Sequence, residues 1–86
     1  MEIKIEKPTP EQIKMVTGWP IWDKGVCVFD MEYENEEVFY VIEGKAEITS
    51  DSKDYEFSKG DLVTIPKGAI CKWKITEPIK KHYQFR

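Results

Sequence analysis

From Trp19 to the end of the chain, short apolar-alternating segments follow one another with turn residues between them. Residues 26–33, 37–43, 45–50, 54–57, 62–65, 69–76 and 79–85 each carry strand periodicity. Turn signals separate them at 34–36, 43–45, 51–53, 58–61 and 66–68, each holding Gly, Asn, Asp, Ser or Pro. Seven short strands at this spacing leave a sandwich or a barrel as the expected outcome, in a single domain covering residues 1–86. Ahead of them, residues 2–6 alternate as a strand. Thr9-Pro10-Glu11-Gln12 then reads as a capping box with Pro at the first helical position, opening a short helix to about Thr17 that Gly18 stops. Residues 1–18 are thus an appendage and 19–86 the β unit.

With 86 residues, the chain has room for one small core and gains from association. Two Cys make no disulfide framework, no apolar run reaches bilayer length, and Met1-Glu2-Ile3-Lys4 does not read as a signal peptide. The expectation is a cytoplasmic protein with reduced thiols and no membrane partner. The net charge of −3 is unevenly spread, 0 over residues 1–29, −8 over 30–61 and +5 over 62–86. An acidic total with a short basic stretch argues against nucleic-acid binding. One Asn and two Gln against 23 Lys plus Glu is a balance of the heat-adapted kind.

Alternation assigns faces. In 69–76 the charges fall on the Ile70 side, so Ala69, Cys71, Trp73 and Ile75 face inward. In 79–85, Ile79, Lys81, Tyr83 and Phe85 share a side, which makes Lys81 an ammonium among apolar inward residues and gives His82 outward parity as a surface or interface residue. In 26–33, Cys27, Phe29, Met31 and Tyr33 form the inner set. In 37–43, Glu37, Phe39, Val41 and Glu43 oppose Val38, Tyr40 and Ile42, and periodicity alone does not choose between the two faces.

Two spacings bear on that choice. Glu37 is followed by six residues and Gly44, and Gly60 by five residues and Pro66-Lys67-Gly68, sixteen positions after Gly44. Together they resemble the paired motifs of the cupin superfamily, G-x5-H-x-H-x3,4-E-x6-G and G-x5-P-x-G-x2-H-x3-N. With Cys71-x-Trp73 and Pro78-Ile79-Lys80-Lys81-His82-Tyr83, the chain is most similar to small single-domain cupins grouped with the cupin domain of (S)-ureidoglycine aminohydrolase. The resemblance implies an all-β, RmlC-like jelly-roll barrel with a short N-terminal helix, and it turns Glu37, Phe39 and Val41 inward.

The metal ligands of the family do not carry over. Counting back from Glu37, the two His positions hold Met31 and Tyr33 on the three-residue spacing and Asp30 and Glu32 on the four-residue spacing. Cys71 stands at the second-motif His and Ile75 at the Asn. One carboxylate, one thiol and a phenol make a poor divalent site, so no cofactor is assigned, with Glu37 and Cys71 the weak metal candidates. An inward Glu37 and an inward Lys81 are expected to pair, since each is costly unpaired. The expected ligand pocket holds Tyr33, Glu37, Cys71 and Lys81, with Phe39, Trp73 and Tyr83 as aromatic walls. Cys71 lacks an inward base and reads as a buried small hydrophobe.

The leading expectation is a small-molecule-binding cupin with a degenerate or absent metal site. The alternative is a metal-dependent enzyme of the ureidoglycine aminohydrolase type acting on a small nitrogenous or carbonyl compound, and a third reading is a structural dimer without a ligand. Trp19-Pro20-Ile21-Trp22, aromatic for a connector, either packs across the barrel end or joins a dimer surface, and a homodimer is the expected state.

Overall fold

Strand pairing joins the alternating segments into one antiparallel sheet in which two long strands do most of the joining. The computed structural model describes residues 2–86: β1 (Lys4–Glu6), α1 (Pro10–Val16), β2 (Ile21–Lys24), β3 (Cys27–Glu32), β4 (Glu37–Ser50), β5 (Lys53–Ser58), β6 (Leu62–Ile65) and β7 (Ile70–Phe85). The start of β4 pairs with β6 from Glu37↔Ile65 to Tyr40↔Leu62 and with the end of β7 from Glu37↔Phe85 onward. Its second half pairs with β5 and with the first half of β7. β2 lies on the end of β7, β3 on its beginning, and β1 on β6. One layer is therefore β1-β6-β4-β7-β2 and the other β5-β4-β7-β3, both built on the same two bent strands. The sheet path does not close on itself. The arrangement is an all-β jelly roll open at its edges, and among the described residues no helix is long and apolar enough to cross a membrane.

One predicted turn and one predicted break between strands lie inside strands. Gly44 was expected to end a strand; instead β4 runs through it at φ +92°, with register shifts on either side from Val41 to Ala46. Such bulges bend a strand and increase its twist, which lets one strand serve both layers. A Cβ on Gly44 would collide with the Pro78 carbonyl oxygen, so both the backbone angle and the close approach require glycine. Pro78, expected to sit between two strands, lies within β7 opposite this bulge, where β7 needs no unbroken ladder. The turn at Asp51-Ser52 forms as expected, with φ of 50° and 62° closing the β4–β5 hairpin.

The two layers meet over aromatic rings. Phe39, from the first layer, packs edge-on to Phe57 at 5.2 Å and lies 5.7 Å from Trp73 of the second; Phe29 stacks on Trp73 at 5.5 Å. Val41, Ile48, Val63, Ile65 and Ile75 complete this core. The helix forms as predicted, with both halves of the Thr9–Gln12 capping box in place. It covers the outer face of the first layer, where Val16, Val38 and Leu62 make a second small cluster with Trp19 and Tyr40.

That outer cover corrects the reading of His82. Its parity is outward, yet it is buried, because the Trp19–Pro20 segment lies over it and its Nδ1 donates to the Trp19 carbonyl oxygen at 2.9 Å. The carbonyl accepts only, so the proton is on Nδ1. The same segment continues as β2: Ile21 and Trp22 are sheet residues paired with His82 and Lys81.

Candidate functional site

Glu37 opens β4, bonded on one side to β6 and on the other to the end of β7, and it faces into the fold. Lys81, on β7, lies between Val41 and Trp22 in register and faces the same way. Antiparallel pairing puts directly opposed side chains on one face, so the Trp22 ring is brought beside the Lys81 side chain by the sheet itself. The Lys81 ammonium donates to Glu37 Oε2 at 2.8 Å, with both side chains buried. Three ring faces enclose the same nitrogen, with centroids at 4.0 Å for Phe39, 4.7 Å for Trp22 and 4.8 Å for Trp73. Ring quadrupoles hold a cation from which water has been removed, and they partly replace its hydration.

Burial works against this ammonium and lowers the Lys81 pKa from its ordinary value, while the Glu37 charge and hydrogen bond work the other way. Below it, the Trp73 indole N–H donates to the Tyr33 hydroxyl oxygen at 3.1 Å. Burial first, and the Glu37 charge second, push the Tyr33 hydroxyl upward. Glu37 Oε1 is buried and has no hydrogen-bond partner. Trp73–Tyr33 and Lys81–Glu37 are thus two buried polar pairs within one aromatic core, and the Glu37 charge acts on the Tyr33 hydroxyl.

A cavity of about 150 Å³ opens onto the Lys81–Glu37 pair. Glu37 and Lys81 are the charged groups on its wall, and Trp22, Phe29, Met31 and Tyr83 give it an apolar surface, with half-exposed Phe85 at the rim. Of the predicted pocket residues, the structure brings Glu37, Lys81 and Tyr83 together here. Tyr33, Phe39, Cys71 and Trp73 were expected on the wall but lie in the core beneath it, where the two layers pack together. Trp22, Phe29 and Met31 line the cavity without having been singled out as its walls. For Phe29 and Met31 the signal was present in their inward parity; Trp22 sits on a four-residue strand too short to show a period.

Cys71 is buried, and burial raises its thiol pKa, so it has little thiolate character. Glu37 and Cys71, the weak metal candidates, do not gather further donors. Among the described residues no group of three or more His, Cys, Asp or Glu side chains is placed to hold a metal ion. At Glu37, the one inward carboxylate of the motif, an ammonium already stands where a divalent cation would have to approach. The donor set does not fit the metal centre of the fold.

The comparisons with known proteins agree with this architecture. Residues 12–83 match the model of the EutQ-like cupin domain. A DUF861 family protein from Thermotoga maritima is similar at 52% identity, over 99% of this chain and 100% of that one, with a TM-score of 0.94. The Clostridium difficile EutQ protein is similar at 26% identity over 76% of this chain and 52% of that one, with a TM-score of 0.70. An uncharacterized protein of Methanocaldococcus jannaschii is 41% identical over 34 residues, 40% of this chain, and the match spans about a quarter (27%) of its length.

Proposed function

From the premise that this chain belongs to the EutQ-like cupin domain family, we propose that it is a small-molecule-binding cupin whose recognition centre is the Lys81–Glu37 pair. The observation that supports this reading most is the position of the pair, a buried ammonium and carboxylate at the inner end of an aromatic-walled cavity of about 150 Å³. A few polar groups converging in an otherwise apolar hollow is the common form of a small-molecule site. The pair takes over the place that a metal has in other members of the superfamily: a fixed positive charge beside the motif carboxylate, available for hydrogen bonding to a ligand.

The test is a titration of the protein with a panel of small acids, ureides and sugars, followed by thermal shift and by amide NMR. A compound that raises the melting temperature and moves the resonances of Trp22, Tyr83 and Lys81 supports the proposal. A panel in which nothing moves those resonances ends it. Elemental analysis separates the second reading, a metal-dependent enzyme resembling ureidoglycine aminohydrolase. Stoichiometric Mn, Fe, Ni or Zn in the purified protein, lost in Glu37→Gln, would favour that reading instead.

A further inference from the structure

We infer that the cavity takes a small uncharged carbonyl compound, whose oxygen accepts from the Lys81 ammonium while its flat body lies against the Trp22 and Phe29 rings. This inference rests on the pocket reading above and narrows its ligand. Charge balance comes first. Lys81 and Glu37 compensate each other at 2.8 Å, and the remaining wall residues carry no charge. An anionic ligand would lie close to Glu37 and a cationic one close to Lys81, and either would bring an uncompensated charge into a largely apolar hollow.

Hydrogen-bond capacity comes second. An ammonium has three donors. Glu37 Oε2 is its acceptor among the described residues, and the other neighbours of the nitrogen are ring faces. Glu37 Oε1 is buried without a donor, and the ammonium still lacks a further acceptor. A carbonyl oxygen supplies one without bringing a charge, and a hydrogen bond from an ionised donor is stronger than a neutral one.

Size and shape come third. A cavity of about 150 Å³ matches the dry, apolar engineered cavities that admit benzene, so the ligand has roughly six to nine non-hydrogen atoms. Trp22 and Phe29 present aromatic surface to it, which favours a flat conjugated frame.

The experiment uses four probes of one shape: benzamide, toluene, benzoate and benzylamine, each titrated into the full chain with amide and indole resonances as the readout. Benzamide is expected to bind about tenfold or more tighter than each of the other three, the size of effect given by one hydrogen bond to a charged donor. In the Glu37→Leu/Lys81→Met double variant, which leaves no buried charge, toluene should still bind and the benzamide advantage should vanish. If toluene matches benzamide, or benzoate or benzylamine exceeds it, the carbonyl inference is overturned while the small-molecule pocket stands. If none of the four moves the cavity resonances, the carbonyl inference also falls, and the panel of acids, ureides and sugars decides the pocket reading separately.

Discussion

Lys7 reaches the Asp61 carboxylate at 2.6 Å and Lys81 reaches that of Glu37 at 2.8 Å, two contacts of nearly equal length in opposite settings. The Lys7 and Asp61 side chains are 76% and 12% exposed, those of Lys81 and Glu37 5% and 3%. At the Gly60 turn, water solvates Lys7 whether or not the contact forms, and Asp61 has a second partner in the Ser58 N–H at 2.9 Å. At the cavity, neither charge has water to return to, and the surroundings of Lys81 other than Glu37 are rings. Contact length therefore does not rank the two pairs; what each group would meet if its partner left does.

The largest test of that contrast is Glu37→Gln. Removing the carboxylate leaves a buried ammonium uncompensated, and the expected loss is about 3–5 kcal/mol of unfolding free energy, measured by urea titration. Replacing both partners, Glu37→Leu with Lys81→Met, should return stability to that of the wild type or raise it by about 1–4 kcal/mol, because the desolvation cost of both charges disappears with them. A Glu37→Gln protein as stable as the wild type would mean that Lys81 is solvated, and the contrast with Lys7 would collapse.

Much of this buried site was legible in the sequence, for reasons that also explain what was not. Lys81 stood out because alternation in 79–85 placed a charge with Ile79 and Tyr83, and β7 holds that alternation through Lys81. The inward turn of Glu37 came from motif spacing, since its own strand alternates two faces of similar polarity. Trp22, which completes the ring cage, was read as part of a connector because β2 has only four residues. His82 was misplaced because parity reports which side of a sheet a residue is on, and the outer side of this layer is covered by Trp19. Gly44 and Pro78 looked like strand ends because each disfavours a regular ladder. They meet where both long strands bend, and that crossing is a long-range event no local pattern contains. Consequently the sequence led to the Lys81–Glu37 pairing but not to Trp22, Phe29 and Met31 on the cavity wall.

Tyr33 extends the contrast into pH. Its hydroxyl is pushed up from the ordinary value of 10.0 by burial and then by Glu37, so above pH 10 the unfolded chain releases this proton while the folded chain keeps it. Stability then falls as pH rises, by about 1.4 kcal/mol per pH unit for one proton. Below pH 10 both states hold the proton and the group contributes no slope. The stability difference between wild type and Tyr33→Phe should accordingly shift by about 1 kcal/mol between pH 10 and 11, where the full slope is not yet reached, in the direction of the variant, and stay constant between pH 7 and 9. Parallel profiles through pH 11 would mean that the Tyr33 hydroxyl is open to water and that the core below the cavity is not sealed.

The smallest effect belongs to the surface pair. Lys7→Met removes an exposed charge from Asp61 Oδ1, but the Asp61 carboxylate is 12% exposed and keeps the Ser58 N–H at Oδ2, so the turn at Gly60 retains that hydrogen bond. The expected cost is below about 1 kcal/mol. Salt supplies the discriminating measurement: near 1 M the screening length drops to about 3 Å, and the difference between wild type and Lys7→Met should shrink toward zero. The deficit of Glu37→Gln should largely persist at the same salt concentration, because a pair whose side chains are 5% and 3% exposed is screened much less than an exposed one. A Lys7→Met loss that matched Glu37→Gln, or that ignored salt, would show that the two lysines share a setting despite their different exposure, and burial would no longer explain why one carboxylate partner is needed and the other is not.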